Sequence, residues 1–184
     1  MIPALWRKRR SNRALIDQLH GKIVAASRRP ALYAELSAPD TFEGRFEMMT
    51  LHAGLVMHAL SRLPGFGGEL AQELADSVFR HFDIALREIG ISDVGLAKRM
   101  KRLAEAFYGR NKAYGEALDA GDAGMLAGAL ARNVYGGADA GKAAALAAYV
   151  EQCARALATA PLATFAAGEV AFPDVSRAAR GRHG

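Results

Sequence analysis

The stretch that decides the fold is PDTFEGRFEMMTLHAGLVMHALSR, residues 39–62. Apolar residues recur in it at spacings of three and four, which places them on one face of an α-helix. Further apolar residues widen this face, so the helix is predicted to lie at the centre of the fold. The stripe consists of Phe42, Phe46, Met49, Ala53, Val56 and Leu60, widened by Met48, Leu51 and Leu55.

Local signals describe the start and the interior of this central helix. Asp40 is predicted to cap it, and Glu43 follows three residues later, as in a capping box. Gly44 and Gly54 lie inside the helix, where each costs about 1 kcal/mol relative to alanine. We expect a closely packed neighbouring helix to explain them.

The same periodicity predicts helices along the rest of the chain, and no segment shows the alternation of a strand. The first helix is expected to start near Ser11 or Asn12 and to end near Ser27, and Gly90 is expected to be a left-handed cap. A short helix is expected between Pro30 and Pro39, a loop at 64–68, and helices at 69–89, 93–119, 122–135 and 139–159.

The sequence therefore predicts an all-α protein, a single globular domain of about six or seven helices. This domain is expected to cover residues 13–160, between a basic, flexible arm at 1–12 and a weakly structured tail at 161–184. The length of 184 residues suits one domain. The single cysteine, Cys153, cannot form an internal disulfide and excludes a Cys-rich zinc site. No run of about 18 apolar residues is long enough to span a membrane.

Positive charge is concentrated at the N-terminus. Residues 1–29 contain eight Lys or Arg and one acid, whereas the other 155 residues contain sixteen basic and eighteen acidic groups. Such an arm is expected either to be a solvated tail or to contact anionic lipid or ribosomal RNA. The residues predicted to make that contact are Trp6, Arg7, Lys8, Arg9, Arg10 and Arg13.

The motifs of common catalytic and metal sites are missing from the sequence. A di-iron bundle needs Glu-x-x-His on two helices, a zincin needs His-Glu-x-x-His, and a hydrolase elbow needs Gly-x-Ser-x-Gly. His52, His58 and His81 are therefore expected to have core or capping roles. We predict no catalytic, cofactor-binding or metal-binding residue, no cofactor and no enzyme activity.

Residues 79–110, FRHFDIALREIGISDVGLAKRMKRLAEAFYGR, combine aromatic residues with charged ones. The aromatics are expected to build the core between two antiparallel helices, and the charges to cover their outer faces. Specific DNA binding is not expected, because the second helix starts with Asp93, Val94 and Gly95, one acidic residue and two whose side chains offer no hydrogen bond to base edges. Outer faces of this kind suit a protein, membrane or RNA partner, with a solvated ladder of ion pairs as the alternative.

Three segments carry a resemblance to a known family. RRPALYAELSAPDTFEGRFEMMTLHAGLV, ADSVFRHFDIALREIGISDVGLAKRMKRLAEAFYGRNKAY and ALARNVY resemble the bacterial branch of the ubiquinol–cytochrome c chaperone family. The resemblance covers roughly residues 13–158. That family is all-helical, and its mitochondrial members bind newly made cytochrome b, together with a small partner protein near the ribosome exit, during assembly of the cytochrome bc1 complex.

The resemblance implies a non-enzymatic assembly chaperone whose client is cytochrome b or another bc1 subunit. Because the family has no catalytic motif, position and residue chemistry select the partner-binding candidates. They are Arg45, Phe79, Arg80, His81, Asp83, Arg87, Lys98, Lys101, Arg102, Tyr108 and Arg110.

Two other function classes stay open at this point. A membrane-surface or ribosome-associated helical module would bind through the basic arm without a dedicated client. A small helical enzyme would require a deep pocket with convergent polar groups. The expected location is cytoplasmic, with peripheral contact at the inner membrane as a further hypothesis.

Overall fold

The computed structural model describes residues 2–137 and 139–176, with side chains from Asn12 onward except those of Asp93 and Val94. Within these ranges the chain forms helices and no strand, which confirms the all-α prediction. Six helices are long, and α2 and α8 have five residues each. The helices are α1 (Ile2–Ser27), α2 (Pro30–Ala34), α3 (Phe42–Ser61), α4 (Gly67–Glu88), α5 (Asp93–Ala120), α6 (Ala123–Val134), α7 (Ala140–Ala158) and α8 (Leu162–Ala166).

The central position of α3 is confirmed. Thirteen of its twenty residues are buried, and it packs against α1, α4, α5, α6 and α7. The predicted apolar stripe accounts for most of this burial, because Phe46, Met49, Val56 and Leu60 each expose less than a tenth of their surface. Phe42, at the start of the stripe, is only half-buried.

Contacts along α3 give the directions of its neighbours. Arg99 of α5 lies 5.8 Å from the Phe42 ring, and near the other end Gly115 approaches His58, so α5 runs parallel to α3. Helix α4 runs antiparallel, since the Phe82 ring lies 5.0 Å from that of Phe46.

One end of the domain therefore collects the last turns of α1 and α4 and the first turns of α3 and α5. We call this the hairpin end, formed by residues 24–28, 42–46, 84–89 and 95–102. Together with the short connection between α4 and α5, it brings apolar and basic side chains of four helices close to one another.

The two glycines of α3 have different neighbours. A Cβ at Gly54 would overlap the side-chain amide of Asn111 in α5, so this glycine permits the close helix approach that was expected. A Cβ at Gly44 would overlap the Pro39 carbonyl oxygen. The neighbour of Gly44 is thus the preceding loop and not a helix.

The predicted cap of α3 is wrong by one residue. Thr41 is the N-cap, with extended backbone (φ −116°, ψ 172°), and its Oγ1 accepts a hydrogen bond of 3.1 Å from the Gly44 backbone N–H. Asp40 instead accepts a hydrogen bond of 2.7 Å from Arg45 Nε. Because a glycine occupies the third helical position, no side chain there can complete a capping box. Gly90, by contrast, adopts the predicted left-handed conformation (φ 80°).

Two described segments, residues 2–11 and 162–176, are more ordered than the sequence predicted. Helix α1 already starts at Ile2, ahead of the predicted Ser11 or Asn12. Residues 162–176 pack on the core, with Phe165 and Val175 almost completely buried. Arg29 fixes this segment by donating hydrogen bonds to the carbonyl oxygens of Phe172 (3.2 Å) and Pro173 (2.6 Å). These contacts join residues more than 140 positions apart, which a local pattern cannot reveal.

Candidate functional site

The aromatic residues of the α4–α5 hairpin form one cluster. The ring centroid of Phe79 lies 5.1 Å from that of Phe107 and 5.7 Å from that of Tyr108. Phe82 and Phe107 are buried, whereas Tyr108 exposes 48% of its surface. The prediction that these aromatics build the core between the two helices is confirmed, with Tyr108 at its outer edge.

The outer face of α4 carries the predicted charges. Arg80 is exposed, and Arg87 Nε donates to Asp83 at 2.9 Å. Asp76, one helical turn before Arg80, accepts a hydrogen bond of 3.2 Å from Gln72. Exposed pairs of this kind contribute little to stability.

On α5, Lys98, Lys101 and Arg102 are all exposed. Lys101 Nζ lies 3.9 Å from Glu105. Lys98 and Arg102 form no ion pair with any residue that the structure describes. Their charges are therefore not neutralised by a neighbouring carboxylate.

Two other predicted partner-binding residues, Arg110 and Arg45, lie outside the exposed charged faces of α4 and α5. Arg110 Nε donates a 2.6 Å hydrogen bond to Glu47, whose side chain is only 7% exposed, and its guanidinium lies 5.7 Å from the Phe46 ring. Burial raises the pKa of Glu47, although the hydrogen bond from Arg110 opposes this shift. Arg110 thus compensates a buried carboxyl group. Arg45 is exposed at the start of α3, bound to Asp40.

His81 points away from the α4–α5 surface, towards α1. Its ring centroid is 5.2 Å from that of His20, and His20 Nδ1 lies 3.0 Å from the Ser77 hydroxyl. Burial lowers the pKa of His20 to about 4 and also lowers the pKa of His81. Both imidazoles are therefore neutral at pH 7, and the histidines form a packed contact between α1 and α4.

Of the arm residues predicted to contact lipid or RNA, only Arg13 has a described side chain, and it is exposed on α1. The side chains of Trp6, Arg7, Lys8, Arg9 and Arg10 lie outside the described residues. This set of predictions is therefore untested.

A groove of about 210 Å³ opens between α1, α3 and α4, with Tyr33 of α2 at its side. We call it the α1–α3–α4 groove. Its walls are mostly apolar and aromatic, while charged and polar groups form its rim, so it offers room for one or two large apolar side chains. The walls are Val24, Tyr33, Phe42, Phe46, Met49, Phe82, Ala85 and Ile89, and the rim contains Arg28, Arg45, His81 and Glu88.

A larger cavity of about 560 Å³ lies near the other end of α3, between α3, α5, α6 and α7. We call it the α3–α7 cavity. At its rim His58 Nε2 lies 3.1 Å from Asp119, and Arg62 bonds both of these side chains. Because these groups satisfy one another, the rim presents no unpaired charge in this cluster.

Sequence reasoning had placed most groove residues in the core and had missed the α3–α7 cavity. Phe42, Phe46 and Met49 show helical spacing, which is the same for a core residue and for a groove wall. Asp119 is 61 positions from His58 in the chain, so no local motif connects the two. The partner-binding candidates Arg45 and His81 do reach the groove rim.

The described residues were also compared with the requirements of a metal site and of a membrane-spanning helix. They contain no group of three or more His, Cys, Asp or Glu side chains arranged to hold a metal ion. None of their helices combines the length and the apolar character needed to cross a membrane.

The comparison with protein families decides the identity. The family model for ubiquinol-cytochrome C chaperones matches residues 34–172, well over half of the chain. The chain belongs to this family. A similar solved structure is the crystal structure of the Cbp3 homolog from Brucella abortus. The two sequences are 44% identical, and the match covers 96% of this chain and 99% of that chain with a TM-score of 0.86. No curated protein matches the sequence.

Membership of the ubiquinol-cytochrome c chaperone family confirms the resemblance identified in the sequence. The matched segment runs from α2 to Phe172 and includes α3, α4 and the α4–α5 hairpin. It also contains most of the walls of the α1–α3–α4 groove, so the groove is built largely from the family's own segment.

Proposed function

We propose that this protein is a non-enzymatic assembly chaperone that binds cytochrome b during biogenesis of the cytochrome bc1 complex, and that the α1–α3–α4 groove receives the client. The observation that carries the proposal is the groove itself, with apolar, aromatic walls and a polar rim open at the surface of a chain of this family. Shielding an apolar client segment requires such a surface and no reactive group.

The volume of the groove is large enough for side chains of the client but too small to enclose a client helix. About 210 Å³ accepts one or two apolar side chains of a client helix and not the whole helix. Met49 in the wall can adapt to different side chains, because its thioether is flexible and polarisable. Contact through a few anchors also permits release once the client is assembled.

The rim supplies the polar part of the interaction. Arg28, Arg45 and Glu88 are exposed around the groove, where they can bond the polar residues that flank an apolar segment. We assign the exposed face of the hairpin, with Phe79, Arg80, Asp83, Arg87 and Tyr108, to a second client contact, on a different face of α4 from the groove. Arg110 has a structural role, since it balances Glu47.

Deletion of the protein, with a complemented strain as the control, tests the proposed function. In a strain lacking the protein, we expect loss of b-type haem absorbance and of inhibitor-sensitive ubiquinol oxidation in membranes, with other respiratory complexes intact. Unchanged cytochrome b and activity would refute the bc1 assembly function. In that case a membrane-surface or ribosome-associated module without a dedicated client becomes the explanation.

The site is tested with two matched alanines. Ala85 lines the groove and Ala154 lines the α3–α7 cavity, and both are half-buried helical residues. Ala85→Trp should fill the groove and abolish complementation, whereas Ala154→Trp should restore the wild-type phenotype. The reverse result would move the client to the α3–α7 cavity. Circular dichroism of both purified variants checks that they are folded.

A direct contact can be sought by photo-crosslinking. A photoreactive amino acid at Ile89, which is 57% exposed in the groove wall, should crosslink to cytochrome b. The control is Met125, an apolar residue that is 42% exposed at the start of α6. Equal crosslinking at both positions would argue against a specific groove contact.

A further inference from the structure

Two isoleucines project from the hairpin end. Ile84 is 56% exposed and Ile89 is 57% exposed, the highest values among large hydrophobic residues whose side chains the structure describes. Ile84 lies on the outer face of α4, beside Arg80 and Asp83, and Ile89 caps the end of the helix. Neither position is required by packing, and exposed aliphatic groups at one end of a domain point to an apolar partner.

Basic side chains are concentrated at the same end of the domain. Residues 97–102 contain Lys98, Arg99, Lys101 and Arg102 and no acid. Lys98, Arg102 and Arg28 of α1 are exposed and have no ion-pair partner among the described residues. Arg99 lies over the Phe42 ring. The hairpin end thus presents three exposed cationic side chains without an ion-pair partner among the described residues, together with the exposed acids Glu43 and Glu88.

The apolar and the basic groups lie at similar positions along the axes of α4 and α5, close to the hairpin end. A helix rises about 1.5 Å per residue, so Ile84 lies about 6 Å before the end of α4 and Lys98 about 8 Å beyond the start of α5. Ile89 lies at the connection between these antiparallel helices. All three can therefore reach a single flat surface laid against the hairpin end.

We propose that the hairpin end is a peripheral binding surface for an anionic lipid bilayer. Ile84 and Ile89 enter the boundary between headgroups and acyl chains, and Lys98, Arg102 and Arg28 contact lipid phosphates. The long stems of Lys and Arg lie along the apolar surface while their charged ends stay in the headgroup layer. Aliphatic rather than aromatic exposed groups distinguish this surface from a site for single-stranded nucleic acid, which would use aromatic stacking.

The surface also orients the proposed client site, and this part rests on the proposed function. Ile89 belongs to the wall of the α1–α3–α4 groove, and Arg28 belongs to its rim. Binding of the hairpin end to lipid therefore places the groove mouth next to the bilayer. A membrane-protein client meets the groove there without having to leave the membrane surface.

Flotation of the purified full-length protein with lipid vesicles tests the surface without any client. We expect binding to vesicles of phosphatidylcholine mixed with phosphatidylglycerol, strong weakening at high salt, and little binding to phosphatidylcholine alone. Lys98→Glu/Arg102→Glu should weaken binding at least about tenfold. The control Lys112→Glu/Arg155→Glu makes the same change of net charge at exposed positions away from the hairpin end and should change binding by about twofold or less.

Ile84→Ser/Ile89→Ser tests the apolar part at constant charge and should also reduce binding. Three results would overturn the proposal: no binding by the wild type, unchanged binding by the hairpin variants, or equal loss in the charge control. Loss only after replacing Arg7, Lys8, Arg9 and Arg10 by serine would assign lipid binding to the N-terminal arm instead. Flotation uses no client, so vesicle binding by a protein whose deletion leaves cytochrome b unchanged would refute the proposed function alone, and complementation without vesicle binding would refute the lipid surface alone.

Discussion

Gly54 gives the sharpest test of how α3 and α5 pack. Replacing a helical glycine by alanine normally stabilises a helix by about 1 kcal/mol. Here the new Cβ would overlap Oδ1 of Asn111 and lie 2.7 Å from its Cγ. Since α3 is surrounded by other helices, it cannot retreat, and either the amide or α5 must move.

The magnitude follows from two opposing effects. Overpacking of a close-packed interior costs roughly 1–3 kcal/mol, and the gain in helix propensity offsets about 1 kcal/mol of that cost. We therefore expect Gly54→Ala to lower the free energy of unfolding by up to about 2 kcal/mol, instead of raising it by about 1 kcal/mol. Asn111 forms no side-chain hydrogen bond to any described residue, so Asn111→Ala removes the overlapping atoms without breaking one.

Equilibrium unfolding in urea, followed by far-UV circular dichroism, measures these changes. Gly109→Ala is the matched control, because Gly109 is an exposed residue of α5 where an added methyl group would have no neighbour within 4 Å. This control should gain about 0.5–1 kcal/mol. The double variant Gly54→Ala/Asn111→Ala should recover at least about 1 kcal/mol beyond additivity.

Stabilisation by Gly54→Ala equal to that by Gly109→Ala would contradict the overlap with Asn111. Additive effects of Gly54→Ala and Asn111→Ala would contradict it too, because the loss of stability would then come from something other than the contact between these two residues.

Two further stability predictions concern buried ionisable groups. Arg110→Met leaves Glu47 without its partner in a site where the side chain is 7% exposed, so the free energy of unfolding should fall by about 3–5 kcal/mol, and adding Glu47→Gln should recover most of it. A loss below about 1 kcal/mol in urea titrations would contradict this. Burial lowers the pKa of His52 from 6.5 to about 4, so between these pH values the unfolded imidazole binds a proton that the folded one does not. Stability should therefore fall as pH drops from 6.5 to 4, by about 3 kcal/mol more than in His52→Asn, and equal pH dependence of the two proteins would contradict the assignment.

The helices could be predicted well because their signals are local. The apolar period of α3, the left-handed Gly90 and the turn before Pro161 all lie within a few residues of the boundaries that they specify. Local sequence could not decide the N-cap of α3, because Asp40 and Thr41 are adjacent and both residue types are common N-caps. Only the extended backbone of Thr41 in the folded chain selects between them.

The candidate site could be predicted only in part, because it depends on which helices become neighbours. Phe79 and His81 are two residues apart, which is about 200° around a helix. They therefore contact different partners, Phe107 of α5 and His20 of α1. Periodicity can separate the two faces of α4, but it cannot say that α1 covers one of them and leaves a groove there. That arrangement depends on contacts between segments more than fifty residues apart.

Basic residues of the hairpin show why sequence alone could not separate structural from functional charges. Arg110 and Lys98 lie on the same helix, yet Arg110 neutralises a buried carboxyl group while Lys98 has no acidic partner among the described residues. Arg110 balances Glu47 and is therefore not available to a partner, whereas Lys98 at the hairpin end can contact an anionic surface without breaking an ion pair with a described residue. The proposed lipid surface therefore uses only the charges that folding does not require, and its variants should lose vesicle binding while retaining stability.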